Sequence, residues 1–369
     1  MQFALNTLKF EDIRNQAVNY LRENSDFGKN IDFKGSNISY ITNVMAYVNM
    51  LLNYNLSNTA NNLMLDSTEI RKNAVSIVKN IGYRPKRPRA SRLTGKFRYY
   101  GEDFDPSSKI TIKEFSRFIS DRGNVFTNFE PIILRYQGDP TYLEGEYILY
   151  QGSVKSFTTF GDGKIMQSFV LPQKDVDEDY FRVYVHPNTR KMSKLDEWTE
   201  VRSFNEIISQ KIFFVEEDVH REGYPKVIFG NGIIGSVPKD TDVITVEYLE
   251  TRGSASNGEV LSVLPPETSF ELSLSLQGKY NFKFDLKNFD DGYSNPNNIS
   301  YGGTDLESLE TIKITAPRFF STINRLATKQ DYYSFLEQDP TLQSVNVLGG
   351  EDYYTEEGNH LGHIYITVV

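Results

Sequence analysis

The chain has 369 residues, no cysteine, and 40 basic against 49 acidic side chains, for a formal net charge of −9. The length suits two to four modules rather than one compact core. The missing thiols exclude disulfide scaffolds, thiolate metal sites and thiol nucleophiles, and the acidic balance argues against a nucleic-acid partner, whose phosphates demand an excess of Lys and Arg. Aromatic residues reach 13%, a composition that favours many short strands and protein interfaces over one large aliphatic core. The N-terminus lacks a basic region followed by an apolar run, and no stretch approaches the roughly 18 apolar residues that would cross a bilayer. No membrane insertion is expected, and assembly is expected in the cytoplasm.

Residues 1–84 read as helical. Ile13, Ala17 and Leu21 share one face, and Ile41, Met45, Val48 and Leu52 share another. Ser36 or Asn37 is placed to cap this long second helix, whose stripe runs on through Leu56, Ala60 and Leu63. Ile41, Met45, Val48, Leu52, Leu56 and Leu63 are the expected assembly interface, because so long an apolar stripe needs a partner. Asp66-Ser67-Thr68-Glu69 has the spacing of a capping box ahead of a third helix lined by Ile70, Ala74, Ile77 and Ile81. Gly82 and Pro85 close that helix.

Arg84 to Arg92 holds five basic residues and two prolines in nine positions. It reads as an extended connector, a linker over 85–95, and as a hinge. From 96 to 252 short apolar and aromatic runs, including Ile132 to Tyr136, Tyr147 to Tyr150, Phe181 to Val185 and Ile212 to Val215, mark a β-rich region of one or two small domains. The acidic run Asp175 to Asp179 reads as a solvated loop, since it lacks the spacing and glycine of a calcium loop. Residues 253–300, rich in Ser, Asn, Gly and Pro, form a connecting region with strands such as Phe270 to Leu276 and a second hinge near Gly253 to Gly258. Residues 301–369 turn to an α+β texture: a helix from Asp305 to Lys313, a break at Pro317, a helix after Thr328, and strands near Val345 and Ile364. The fold class expected is thus α+β and multidomain.

Gly230-Asn231-Gly232-Ile233-Ile234-Gly235 has the spacing of a dinucleotide-binding fingerprint. That motif requires a helix immediately after it, and here an alternating strand through Val243, Thr245 and Tyr248 follows, so a tight hairpin with Gly230 and Gly232 at positive φ is expected instead. His360 and His363 would point to opposite faces of a strand and make a poor metal pair. No nucleophile elbow, metalloprotease or phosphate-loop motif occurs. No catalytic residue, cofactor or metal site is expected, and no enzymatic activity.

Several motifs recur together in one order. Phe229-Gly230-Asn231-Gly232-Ile233-Ile234-Gly235 with Pro238 precedes an alternating strand and Gly253-Ser254-Ala255-Ser256-Asn257-Gly258. Gly302-Gly303-Thr304-Asp305-Leu306-Glu307, Ala316-Pro317-Arg318, Asn324-Arg325 and Thr328-Lys329-Gln330-Asp331-Tyr332 follow. This series resembles the baseplate J-like family of contractile phage tails. Asp32 to Asn37, Leu65-Asp66-Ser67 and Gly82 to Pro85 resemble the helical N-terminal region of the wedge proteins of T-even-like phages. The resemblance covers most of the chain and is weakest over about 100–210.

The resemblance implies a structural baseplate subunit that pairs with a second copy of itself and bundles its N-terminal helices with other wedge proteins. It would join wedges into a ring around the tail hub, meet the sheath-initiating proteins, and rearrange when the sheath contracts. Gly302 and Gly303 would free the backbone before a helix capped by Thr304, Pro317 would stop it, and Thr328 with Asp331 would cap the next. Glu307, Arg318 and Arg325 are candidates for interface or internal ion pairs. The family's usual arginine before the Ala-Pro pair is Thr315 here, and Val368-Val369 falls inside an apparent strand, so either the chain is shortened or a C-terminal dimerisation portion is missing.

Overall fold

The computed structural model describes residues 9–24, 37–201, 209–263, 270–277, 285, 289–290, 299–322, 326–336, 345–350, 352, 354–355, 358–359 and 362–368. The fold is α+β. Its α-helices are α1 (Phe10–Asn24), α2 (Asn37–Asn62), α3 (Arg71–Asn80), α4 (Leu274–Gln277), α5 (Leu309–Thr322) and α6 (Lys329–Leu336). The chain divides into two compact units, Met1–Tyr83 with Leu309–Phe320, and Arg84–Ser308 with Ser321–Val369.

In the first unit, α3 and α5 bury Ala74, Val75, Val78, Tyr83, Ile312 and Ala316 against one another, with Tyr83 edge-on to Phe319 at 5.5 Å. The buried face of α3 is turned from the expected stripe: Val75 and Val78 are buried, whereas Ile70 is exposed. The helix also starts later than the sequence suggests. Its N-cap is Ile70, without a side-chain cap, and the hydroxyl of buried Thr68 accepts the Ile70 amide at 3.4 Å. Asp66 and Glu69 remain exposed and form no capping box at this terminus. The other end of α3 is closed by paired reverse bonds, Tyr83 N–H to Val78 O and Gly82 N–H to Lys79 O, both 3.0 Å. Gly82 takes the required left-handed φ of 81°, and the flanking Val78 and Tyr83 share the core.

Pro317 lies inside α5 rather than ending it. The helix starts at Leu309, not Asp305, so Thr304 is no cap either. Loss of one proline amide is tolerated because buried Ile312 and Ala316 before Pro317, and Phe319 after it, pack the helix into the core shared with α3.

Two large sheets, among the described residues, make up most of the second unit. The first comprises β1 (Arg92–Tyr100), β2 (Lys109–Ile112), β3 (Arg117–Ser120), β4 (Val125–Thr127), β5 (Ile132–Tyr136) and β6 (Tyr142–Gln151). The second comprises β7 (Ser153–Phe160), β8 (Ser168–Val170), β9 (Val176–Pro187), β10 (Glu197–Glu200), β11 (Ile212–Glu217), β12 (Pro225–Phe229) and β13 (Asp242–Glu250). Later strands β14 (Leu261–Val263), β15 (Phe270–Leu272) and β16 (Phe289–Asp290) return to the first sheet, which runs β14-β3-β4-β6-β5-β2-β15 with β1 joining β6 to β16. The stretch expected to be a connecting region therefore contributes to a sheet. Alternation dictates the layering: Leu93, Phe97 and Tyr99 of β1 and Leu143, Tyr147 and Leu149 of β6 point inward, and Phe97 stacks on Tyr147 at 3.9 Å. In the second sheet, Phe157 of β7 approaches Phe169 of β8 at 5.8 Å although these strands lie at opposite ends of the strand order. The sheet has curled around its own core, as edge closure favours.

The acidic run 175–179 is not a loop. It opens β9, and Asp177 is buried with its carboxylate accepting the amides of Ala90 (2.6 Å), Asp179 (2.9 Å) and Tyr180 (2.6 Å). Near the C-terminus β17 (Val345–Gly349) pairs antiparallel with β20 (Ile364–Val368), and β18 (Tyr354–Thr355) with β19 (Gly358–Asn359). Ahead of α6, Thr328 and Asp331 exchange bonds, Thr328 N–H to Asp331 Oδ2 at 2.9 Å and Asp331 N–H to Thr328 Oγ1 at 3.3 Å, in the reciprocal cap their spacing suggests. Among the described residues no helix is long and apolar enough to cross a membrane.

One ion pair with a shielded carboxylate yields a pH prediction. Asp196 is shielded and accepts from both terminal nitrogens of Arg190 and from the Ser193 amide at 2.9 Å; the Arg190 pair, foremost, holds its carboxyl well below the usual range. Because the folded value is depressed, its stabilisation is present above the ordinary carboxylate range and is lost as pH falls toward the folded value. Urea unfolding from pH 7 to 2 is expected to show Asp196→Asn less stable than the parent at neutral pH, with the gap closing below about pH 4.

Candidate functional site

Two features gather the residues that the sequence singles out. The first is α2. From residue 35 to 65 there is no Asp, Glu, Lys or Arg, so nothing charged interrupts the helix. Its sheltered residues are Ser39, Thr42 and Ala46, all buried, with Asn43 beside them accepting from Arg14 Nε of α1 at 2.9 Å. These residues recur at helical spacing and are small or polar. The large apolar residues lie on the opposite face. Ile41, Met45, Val48, Leu52, Leu56 and Leu63 are 47% to 73% exposed, with Leu63 one residue past the helix, and Val44 and Leu51 continue the same surface. The usual polarity of a surface helix is reversed: small groups pack inward and the apolar stripe faces out. Asn37 is the first residue of α2, and Ser36 lies outside the described residues.

The second feature is a node in the second unit formed by three distant segments, 84–92, 253–259 and 300–307. Arg89 and Thr304 form a two-way backbone bridge, as do Arg92 and Tyr301. Glu307 accepts the Lys86 amide at 2.9 Å, an internal contact. Asp305 accepts both the Ser254 amide at 2.9 Å and the Ser254 hydroxyl. Asn257 exchanges bonds with the Gly303 backbone in both directions at 2.9 Å. Buried Ser91, Ser256 and Ser300 interlock, Ser91 Oγ lying 2.8 Å from Ser256 Oγ and Ser300 Oγ donating to Ser256 O at 2.6 Å. Gly303 is glycine for space: a Cβ there would meet Gly253 O at 2.5 Å.

Residues 85–95, expected as a linker, and 253–258, expected as a hinge, thus carry many contacts within the second unit, and the boundary between the two units falls at Tyr83/Arg84. Arg84 and Arg87 reach Glu200 at 4.0 and 3.4 Å, Arg87 also lies over the Phe181 ring at 4.8 Å, and Arg89 pairs with Asp179 at 2.9 Å. Residues 92–95 are already β1. The basic run is a strap tied to the second sheet, because Arg84, Arg87 and Arg89 find carboxylates there, at fold distances that sequence order does not reveal.

Gly230-Asn231-Gly232-Ile233-Ile234-Gly235 is a compact turn and no helix follows it. It is not a hairpin either, since β12 pairs with β11 and β8 while β13 pairs with β7 and β9. Positive φ falls on Gly232 and Gly235, not Gly230. Gly230 is required by close approach, as a Cβ would lie 2.3 Å from both Ile234 O and Gly235 O. Asn231 works through its side chain, its Oδ1 accepting the Ile233 and Ile234 amides at 2.9 and 2.8 Å. That locked turn leaves Ile233 among the most exposed apolar residues.

Of the other predicted positions, Gly302 takes a positive φ of 81° beside Gly303, Asp331 and Tyr332 sit in the first turn of α6, and Pro317 sits within α5. Arg325 and His360 lie outside the described residues. Among the described residues no group of three or more His, Cys, Asp or Glu is arranged to hold a metal ion. Sequence reading missed Asp177 and Ser91, whose only local signals are an acid inside a strand and a serine beside an arginine. No protein-family model matches the chain, and no curated protein matches it at a significant level.

Proposed function

We propose that this chain is a structural, non-enzymatic subunit of a contractile-tail baseplate, a wedge component that joins neighbouring wedges into a ring around the tail hub. The observation that carries the assembly role is α2: a charge-free helix of 26 residues with its large apolar side chains facing away from α1. An isolated soluble chain rarely leaves so long an apolar stripe uncovered, and charge depletion with apolar enrichment is the mark of an interface core. The identification of that assembly as a baseplate rests on the ordered motifs, whose second and third groups, 253–258 and 302–307, meet in one hydrogen-bonded node.

In this reading the N-terminal helices bundle with other wedge proteins, a second copy pairs with the chain, and the hub and sheath-initiating proteins are further neighbours. The β-rich unit serves as a rigid block and the small C-terminal α+β portion as a family module. Its place is the virion, with assembly in the host cytoplasm, and the equivalent part of a phage-derived injection system would use the same physics. Co-expression with the products of adjacent tail genes, followed by mass photometry and negative-stain imaging, is expected to give a defined hetero-oligomer. A persistent monomer that ignores every tail protein overturns the scaffold reading. The receptor-binding alternative draws on the exposed apolar turn at Ile165, Met166 and Ile233, and binding of that monomer to host cells is the result that would favour it.

A further inference from the structure

A cleft of about 1040 Å³ opens in the second unit. Its floor is the outward face of the β1–β6 ladder. There Arg92 lies opposite Tyr150, Thr94 opposite Ile148, and Lys96 opposite Glu146. One wall carries Tyr180 and Arg182 of β9, and the loop residue Phe129 stacks between Tyr150 (4.6 Å) and Tyr180 (4.1 Å).

Three of the four cations lining the cleft are engaged: Arg89 with Asp179, Lys96 with Glu144 and Glu146, and Arg182 with Glu197 at 3.9 Å. Arg92 differs. It lies over the Tyr301 ring at 4.7 Å but has no carboxylate partner among the described residues, and its Nε is shielded from solvent without a hydrogen-bond acceptor. The hydroxyl of Tyr180, a residue only 4% exposed, is likewise shielded and unpartnered among the described residues. Two donors left unmatched along one cleft run against the rule that buried polar groups find partners, and a guanidinium is the side chain best matched to a carboxylate.

The shape narrows the occupant. The cleft sits at the upper end of small-molecule site volumes, and the side chains of its floor repeat every second residue. An extended chain laid along a strand presents its own side chains with that same period. Ile148 gives the floor an apolar patch, 52% exposed, next to the cationic end at Arg92.

We propose that this cleft binds an extended peptide segment of a partner protein that alternates acidic and apolar side chains, with a carboxylate seated on Arg92 and an apolar side chain on Ile148. The proposal stands apart from the wedge reading, since it concerns the isolated chain and a surface other than α2.

The probe is an end-blocked, fluorescein-labelled octapeptide alternating glutamate and leucine, titrated by fluorescence anisotropy at low salt. Its glutamine counterpart serves as control and free glutarate as competitor. Saturable binding of the acidic peptide is expected, at least tenfold tighter than the glutamine peptide. Arg92→Gln is expected to lose at least tenfold, with partial recovery in Arg92→Lys. Ile148→Glu alters an exposed position that the fold does not need and is expected to repel the acidic peptide by a similar factor, which keeps the test decisive if Arg92→Gln unfolds. Equal binding of both peptides, absence of binding at millimolar concentration, or unchanged binding in both Arg92→Gln and Ile148→Glu overturns the proposal. Glutarate competing at the same concentration as the peptide also overturns it, by reducing the cleft to a small-acid pocket. None of these outcomes bears on whether α2 assembles with tail proteins.

Discussion

Replacing Val48 and Leu52 together by glutamate is expected to leave the isolated chain folded and to abolish its capture by co-expressed tail proteins. Both side chains are about half exposed in the free chain and lie opposite the Ser39–Thr42–Ala46 face that meets α1, so the fold gives up little. Glutamate is at least as good a helix former as valine, so α2 itself is retained. In an assembled bundle the same two positions would be buried. Covering the apolar groups contributes roughly 1 kcal/mol each, and stranding two carboxylates among apolar neighbours costs several kcal/mol more, so affinity should fall by at least about a hundredfold. Pull-down with each adjacent tail protein, beside circular dichroism of the variant alone, reads both halves. Undiminished assembly by a folded variant would show that this stripe is not the contact surface. Ala46→Glu is the informative contrast: that residue is 1% exposed, and the change should loosen α1 from α2 in the isolated chain.

The second large effect is expected at the three-segment node. Gly303→Ala pushes a Cβ to 2.5 Å from Gly253 O and 3.0 Å from Asn257 Oδ1, and neither the backbone carbonyl nor the reciprocally bonded amide can move without breaking the bonds to 257 and 303. A destabilisation of about 2–4 kcal/mol is expected, in the range of overpacked or strained interior sites. Gly258→Pro should be comparably severe, about 3 kcal/mol, since proline cannot adopt the observed φ of 77° and removes the amide that donates to Ser300 O at 2.8 Å. Seen as a hinge, position 258 would accept proline with expression intact; seen as part of the node, it would not. Gly258→Ala meets open space and retains its amide, so its cost is confined to the left-handed backbone, roughly 1 kcal/mol. Thermal melts should place Gly258→Ala well above the other two variants. A Gly303→Ala protein as stable as the parent would remove the node as the lock between the strap and the later segments.

Much of the fold was legible in local pattern. Short apolar and aromatic runs marked β5 at Ile132 to Tyr136 and the strands around 147–150, 181–185 and 212–215 to within their boundaries, because β-branched and aromatic residues gather in strands and turn residues separate them. The apolar stripe of α2 was readable from its period near 3.6. So were the cap formed by Thr328 and Asp331, the closing turn at Gly82, and the absence of a helix after the glycine turn, all of which depend on residues within a few positions of one another.

What only the tertiary structure decided involves partners far apart in sequence. The basic run at 84–92 looks like a solvated linker until Asp179, Glu200 and Phe181 are brought beside it, and a stretch of serines and glycines looks flexible until Asp305, Gly303 and Ser91 occupy its donors and acceptors. Asp177 reads as one acid among four, and becomes a buried acceptor only because β9 sets it against the Ala90 amide. Composition and periodicity determine which residues seek burial and which backbone conformations are cheap. They carry no information about which distant segment supplies the matching charge or amide, and in this chain those pairings decide which segments are tied together and leave Arg92 without a carboxylate partner among the described residues.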